Sequence, residues 1–88
     1  MRKIVVSKQF QKKLILFLRR QPELENKISG VLKLLEKDLN HPLLKTHKLH
    51  GVLSKFFACS ITYEYRLVFS FDDKFIFPHT IGSHDDVY

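Results

Sequence analysis

Histidines mark the positions at which this chain is able to transfer protons. Five occur among its 88 residues, and four of them lie in a basic connector or towards the C-terminus: His47, His50, His79 and His84. Imidazole titrates near neutral pH, so it both accepts and donates protons under physiological conditions. These residues are therefore candidates for a general base and a general acid, and a purely structural role is the alternative for each of them.

The polar residues as a set suit the cleavage of RNA. Attack by a ribose 2′-OH on the adjacent phosphodiester needs a base for that hydroxyl, a fixed cation for the phosphorane and an acid for the leaving 5′-oxygen. Histidine, arginine and histidine can fill these three roles, and an aromatic side chain can stack on a splayed base. Such a reaction needs no cofactor, and we expect none.

Other kinds of site have little support in the sequence. His47 and His50 are three residues apart, but no third Cys, Asp or Glu stands at a zinc-like interval, so we expect no metal site. Cys59 lies in a predicted strand, where the role of a small buried hydrophobe is favoured over that of a nucleophile. The three glycines are isolated, which argues against a nucleotide-binding loop.

Positive charge is concentrated in the first part of the chain. Residues 1–55 carry thirteen basic and four acidic side chains, whereas residues 56–88 carry two and five. This imbalance favours RNA, DNA or an acidic protein as the partner, with a solvated lysine surface as the alternative on charge alone. One cysteine forms no intramolecular disulfide, and no apolar run has the length of a signal peptide or membrane span. We therefore expect a cytoplasmic protein with no membrane partner.

The elements that position these residues change in character along the chain. Lys3–Val6 predicts a short strand that ends at Ser7, a helix N-cap. Helical periodicity then runs from about Ser7 to Arg20, with one apolar and one cationic face, and again from Pro22 to about Asn40. These two segments predict a helical hairpin, which is followed by the basic connector of residues 43–53.

From Lys55 onward the apolar period is two, which predicts three antiparallel strands. The second spans Tyr65 to Phe71, the third spans Lys74 to Ile81, and residues 71–74 form a tight turn between them. The predicted fold class is α+β in the order β-α-α-β-β-β, as one domain over residues 1–88. The helices pack on one face of the sheet, and the other face is expected to be open to a ligand.

Three segments together resemble a known family of bacterial toxins. They are HKLHG at residues 47–51, YRLVF at 65–69 and IGSHDDVY at 81–88. Their order and spacing are similar to those of the RelE/ParE superfamily, nearest to the RelE and YafQ-like mRNA interferases. The resemblance covers the whole chain in length and element order, and it implies a RelE-like fold.

By position in these motifs, the resemblance implies the catalytic set His47, Glu64, Arg66, His84 and Tyr88. In this set Arg66 stabilises charge on the phosphorane, His84 transfers a proton and Tyr88 is the terminal aromatic. The alternative for Arg66 is a structural strand arginine that pairs with Glu64 or Asp72. The alternative for His84 is a tail residue that caps the sheet.

The connector supplies further expected RNA contacts, and two positions depart from the family pattern. Phosphate contacts are expected from Lys45, Lys48, His50 and Lys55. Ser60 stands where YafQ-like members carry another histidine, and Leu43 stands where YoeB-like members carry a catalytic glutamate. The identity of the general base therefore stays open.

The resemblance implies the toxin of a type II toxin–antitoxin system. Such a toxin enters the A site of the 70S ribosome, cuts mRNA there and is held inactive by a cognate acidic antitoxin. Leu16, which falls within the charged arc of the first helix, is a candidate antitoxin contact. The alternatives are a ParE-like inhibitor of DNA gyrase and a non-catalytic module that binds nucleic acid or protein. The presence of both Arg66 and His84 near one sheet face favours the nuclease.

Overall fold

The computed structural model describes residues 1–51 and 55–87 of the chain, without the side chains of residues 86 and 87. Tyr88 therefore lies outside the described residues. The helices are α1 (Lys8–Arg20), α2 (Glu25–Lys37) and the single-turn α3 (His84–Val87). The strands are β1 (Lys3–Ile4), β2 (His47–Lys48), β3 (Phe57–Ser60), β4 (Tyr65–Phe71) and β5 (Phe75–Ser83). Short 3-10 helices span Pro22–Leu24 and Pro42–Leu44.

The strands form one mixed sheet in the order β1-β5-β4-β3-β2. β1 runs parallel to β5, and the other neighbouring pairs are antiparallel. The α+β class, the N-terminal strand, the helical hairpin and the C-terminal meander are thereby confirmed. No helix within residues 1–51 and 55–87 is long and apolar enough to cross a membrane.

Helix α1 begins where the sequence predicts. The Ser7 hydroxyl accepts a hydrogen bond from the Phe10 main-chain nitrogen at 3.0 Å, an N-cap of a kind that contributes about 1 kcal/mol. Phe10 is fully buried, and the other members of the predicted apolar stripe pack against the same core: Leu14, Phe17 and Leu18. Leu16 points away from this core and is 57% exposed.

Helix α2 ends at Lys37, three residues before the predicted end at Asn40. Asp38 is extended, and its carboxylate accepts a hydrogen bond from the Asn40 main-chain nitrogen at 3.1 Å, which turns the chain. Leu39 is nevertheless buried in the main core. Leu39 reaches the core from this turn. Its distance in the sequence from Leu35 is the same as for two residues on one face of a helix, so the sequence pattern extended the predicted helix too far.

Apolar side chains are buried on both faces of the sheet. The main core lies between the helices and the sheet and includes Leu35, Leu67, Phe69 and Ile76. A second cluster lies on the opposite face and consists of Leu49, Ala58 and Val68 with the half-buried Phe56. The face that we expected to be open is therefore covered in part by residues at the end of the connector.

The connector contributes the edge strand β2, which the sequence analysis did not predict. His47 pairs with Ala58 and Lys48 pairs with Phe57. The Leu49 main-chain nitrogen then donates to the Phe56 carbonyl at 3.0 Å. A strand of two residues is too short to produce a recognisable alternation of polar and apolar positions.

The hairpin between β4 and β5 forms at the predicted turn. One carboxylate oxygen of Asp72 accepts hydrogen bonds from the main-chain nitrogens of Lys74 at 2.8 Å and Phe75 at 2.7 Å. These bonds lower the pKa of Asp72, and the positive charge of Arg2 acts in the same direction. The Arg2 Nε atom also donates to the Asp72 carbonyl at 2.7 Å, which ties the N-terminus to the hairpin.

Strand β3 carries the chain's single thiol on the face that the helices cover. Cys59 is fully buried within the main core and forms no disulfide. Burial raises the pKa of its thiol to about 12, against a smaller opposing effect of the Arg66 charge. Cys59 is therefore a structural core residue, as the sequence predicted.

Candidate active site

The turn between β3 and β4 is held by its own side chains. The Thr62 hydroxyl accepts hydrogen bonds from the main-chain nitrogens of Glu64 at 3.3 Å and Tyr65 at 3.2 Å. The Ser60 hydroxyl donates to the Thr62 carbonyl at 3.0 Å, and the Ile61 nitrogen donates to the Tyr65 carbonyl at 3.0 Å. This backbone therefore has a defined path, and the Ser60 hydroxyl has a structural partner within the turn.

Arg66 makes direct hydrogen bonds at this turn. Its Nη1 atom donates to three main-chain carbonyls, those of Thr62 at 2.7 Å, Tyr63 at 2.8 Å and Tyr65 at 3.1 Å. Within the described part of the chain, no ion pair joins it to Glu64 or Asp72. Arg66 is thus a half-buried cation whose position is fixed by carbonyl oxygens rather than by a carboxylate.

The end of β5 brings His84 next to the same turn. Ser83 pairs with Tyr65 and Gly82 pairs with Arg66 across the sheet. The His84 main-chain nitrogen then donates to the Glu64 carbonyl at 3.0 Å. The imidazole is 60% exposed, and its Nδ1 atom lies 3.9 Å from an Asp85 carboxylate oxygen. Sheet register therefore places a histidine beside Arg66 although 18 positions separate them in the sequence.

An open cleft of about 630 Å³ lies at this junction. We call it the turn cleft, and it is lined by Tyr63, Glu64, Arg66, Ser83, His84 and Asp85. It contains three members of the predicted catalytic set, Glu64, Arg66 and His84. It also contains Tyr63, whose side chain is 94% exposed and which the sequence analysis did not select.

The remaining predicted site residues lie apart from the turn cleft or outside the described residues. His47 is on the edge strand β2, opposite Ala58, and is therefore two strands away from Arg66. Its Nδ1 atom lies 3.1 Å from the Lys45 carbonyl. The four expected phosphate contacts, Lys45, Lys48, His50 and Lys55, all have exposed side chains. Tyr88 is not among the described residues. Leu43, which the sequence analysis named as a departure from the YoeB-like pattern, is exposed.

A second groove, of about 430 Å³, runs beside the turn cleft between α1 and the end of β5. We call it the α1 groove. It shares Glu64 and Ser83 with the turn cleft, and its helical side is formed by Lys13, Leu16, Phe17 and Arg20. The Lys13 ammonium donates to the His79 carbonyl at 3.2 Å. The groove therefore combines two cations with an exposed leucine.

The turn cleft contains side chains of the types that general acid–base chemistry uses. A search of residues 1–51 and 55–87 finds no three His, Cys, Asp or Glu side chains that are close enough together to hold a metal ion. An imidazole, a carboxylate and a guanidinium share the cleft, which is the set of groups that general acid–base chemistry at a phosphate requires.

Comparison with known proteins identifies the family of this chain. A family model described as the bacterial toxin YafQ of type II toxin–antitoxin systems matches residues 2–88. This chain belongs to the YafQ toxin family. A search of curated proteins gives no significant match.

Solved structures share the fold of this YafQ-family toxin. YafQ from E. coli strain BL21(DE3) is 22% identical with a TM-score of 0.82, and the match covers 100% of this chain and 99% of that one. YafQ in the E. coli DinJ–YafQ complex is 21% identical with a TM-score of 0.80, again over 100% and 99%. The YoeB dimer from Staphylococcus aureus is 25% identical with a TM-score of 0.75, over 94% and 97%. The YafQ-family toxin therefore has a RelE-like fold.

Proposed function

We propose that this YafQ-family toxin is a ribosome-dependent endoribonuclease that cuts mRNA by attack of a ribose 2′-OH. One observation carries the proposal: Arg66 and His84 line the same cleft. Two adjacent strands bring them together, and the hydrogen bond from the His84 nitrogen to the Glu64 carbonyl fixes the junction. A cation and a proton-transfer group in one cleft match the needs of a phosphorane transition state.

Three residues of the turn cleft have roles in this reaction: Arg66, His84 and Glu64. Arg66 stabilises the charge on the phosphorane, because one edge of its guanidinium is anchored to the turn carbonyls and the group keeps further N–H donors. His84 transfers a proton to the leaving 5′-oxygen. Glu64 in the cleft and His47 on the edge strand are the candidates for the base that takes the 2′-OH proton. The products are a 2′,3′-cyclic phosphate and a 5′-hydroxyl, with no cofactor or metal involved in the chemistry.

The substrate is mRNA in the A site of the 70S ribosome. The exposed basic side chains of Lys45, Lys48, His50 and Lys55 bind phosphates of the mRNA. Tyr88, which lies outside the described residues, is assigned by the family resemblance to stacking on a base.

A cognate acidic antitoxin holds the toxin inactive in the cytoplasm. The excess of basic residues in the first 55 positions supports a partner of opposite charge. The α1 groove offers that partner an apolar contact at Leu16 between Lys13 and Arg20. Because this groove adjoins the turn cleft, an antitoxin segment seated in it would also obstruct access to Arg66 and His84.

Translating ribosomes programmed with a defined message test the function. Purified toxin should cut the message at a specific site, and end-group analysis should find a 2′,3′-cyclic phosphate and a 5′-hydroxyl. A 5′-phosphate would contradict the proposed chemistry. Intact message together with loss of gyrase supercoiling activity would instead indicate a ParE-like inhibitor, and absence of both effects would indicate a non-catalytic binding module.

A further inference from the structure

Tyr63 is an exposed aromatic residue at the turn cleft. The residue is 94% exposed, although it borders the same space as Arg66 and His84. The other tyrosine of this segment, Tyr65, is half-buried and packs edge-to-face on Phe17, with ring centroids 5.0 Å apart. Tyr65 has a packing role in the main core, whereas Tyr63 makes its ring available to a ligand.

The backbone that carries Tyr63 is held in place from both sides. The Tyr63 carbonyl accepts a hydrogen bond from Arg66 Nη1 at 2.8 Å. The preceding Thr62 hydroxyl accepts from the main-chain nitrogens of Glu64 and Tyr65. A ligand that binds against this ring therefore has few further backbone rotations to restrict. This lowers the entropic cost of binding.

The position of the ring relative to Arg66 indicates what it binds. If Arg66 contacts the scissile phosphate, the adjacent Tyr63 lies where a neighbouring nucleotide passes. Every base has a π face, and bases in single-stranded RNA stack readily on exposed aromatic rings. We propose that Tyr63 forms a base subsite, in which one base next to the scissile phosphate stacks on its ring. This inference deepens the proposed nuclease function and rests on it.

The first test compares three toxins on programmed ribosomes under single-turnover conditions: wild type, Tyr63→Phe and Tyr63→Ala. Stacking needs the ring and not the hydroxyl, so Tyr63→Phe should cleave like wild type. Tyr63→Ala should need about tenfold more toxin for half-maximal cleavage, as expected for one lost stacking contact. The thermal midpoints should agree, because the ring makes no buried contact. If Tyr63→Ala needs the same toxin concentration as wild type for half-maximal cleavage, the proposed base subsite is wrong.

A second arm locates the base. Messages that carry an abasic ribonucleotide at each position of the A-site codon retain every phosphate and 2′-OH. At one position the abasic message should weaken wild-type cleavage by about the same tenfold factor and leave Tyr63→Ala unaffected, because the stacking partner is already missing. Equal losses for both proteins at every position would show that Tyr63 contacts no base.

The outcome for wild type separates the two proposals. If wild type cuts the messages and the substitutions at Tyr63 have no effect, the nuclease function stands and the base subsite is wrong. If wild type leaves every message intact, the nuclease function itself is contradicted, and the subsite with it.

Discussion

Arg66 shows how a single residue can serve both the fold and the site. Its Nη1 atom donates to two carbonyls of the β3–β4 turn and to that of Tyr65 at the start of β4, while its side chain lines the turn cleft. Two separate motifs were recognisable in the sequence: the strand motif selected Glu64 and Arg66 in advance, and the C-terminal motif selected His84. The carbonyl contacts could not be predicted, because they depend on the path of a turn whose residues have no periodic pattern. Tyr63 was missed for the same reason.

Replacement of His84 by glutamine tests proton transfer. His84→Gln should lower the single-turnover cleavage rate by about 10²–10⁴-fold, because glutamine keeps hydrogen-bonding capacity but has no titrating nitrogen. The thermal midpoint should stay near that of wild type, since the imidazole is 60% exposed. His79→Gln, a matched change outside the cleft, should retain wild-type cleavage. A His84→Gln rate within about threefold of wild type would assign this residue a structural role.

Replacement of Arg66 by lysine tests the need for a forked cation. Arg66→Lys keeps the charge but has no planar fork with which to hold the turn carbonyls and a phosphate together. We expect the cleavage rate per folded molecule to fall by about 10²–10³-fold. Circular dichroism and a thermal melt establish the folded fraction for this comparison. Full activity of the folded fraction would mean that Arg66 serves the turn alone.

At the scale of elements, the sequence pattern predicted long segments better than short ones. The thirteen residues of α1 carry a strong apolar stripe and a serine cap, and their bounds agree with the prediction. The end of α2 was placed too late because Leu39 satisfies the helical spacing from a turn. Strand β2 was missed because it consists of only two residues, His47 and Lys48. The second core cluster was likewise hidden, since it requires Leu49 to pack on the far face of the sheet.

The β4–β5 hairpin has a pH dependence that follows from Asp72. The pKa of Asp72 is lower in the folded state than in the unfolded state, so ionisation of this carboxyl favours folding. This contribution to stability is fully present above the pKa of an unfolded aspartate. It is lost as the pH falls through the lower pKa of the folded state. We therefore expect the urea midpoint of wild type to exceed that of Asp72→Asn at about pH 7 and to converge with it near about pH 2. A difference that does not change with pH would show that the charge of Asp72 has no part in the turn.

Asp72→Ala separates the hydrogen bonds from the charge. Asparagine keeps an oxygen that accepts from Lys74 and Phe75, whereas alanine has none. The urea midpoint at neutral pH should therefore fall further for Asp72→Ala than for Asp72→Asn. Neither change touches the turn cleft, so the folded fraction of both variants should cleave like wild type.

At the scale of the whole molecule, the distribution of charge sets how the toxin meets its partners. The basic side chains are concentrated in residues 1–55, which include α1, α2 and the connector. The cleft residues come instead from the segment between Tyr63 and Asp85. Composition alone revealed the asymmetry, but only the structure shows that the α1 groove and the turn cleft adjoin.

Association with the antitoxin should therefore depend strongly on salt. Opposite charges steer encounter, so raising the salt from about 0.05 M to about 0.5 M should slow association by about tenfold or more. Stopped-flow mixing of the two purified proteins measures the rate. An association rate that does not respond to salt would remove the basic surface from the encounter.

The apolar part of that interface should depend on Leu16. Leu16→Ala should speed dissociation of the antitoxin by about fivefold or more, because an exposed side chain in the α1 groove would be buried in the complex. The thermal midpoint of the free toxin should not change. Ile15→Ala removes a similarly exposed neighbour that does not line this groove, and it should leave dissociation unchanged. Equal effects of the two changes would place the antitoxin elsewhere on the helix.

The buried thiol of Cys59 gives this chain an internal reporter of sheet opening. Alkylating reagents attack the thiolate, and burial both shields this sulfur and raises its pKa to about 12. Labelling in native buffer therefore requires β3 to separate from the helices that cover it, so the labelling rate records how often that happens. Because the chain has no other cysteine, one mass measurement follows this event without an engineered label. The same measurement would distinguish an inactive variant that is folded from one that opens too readily.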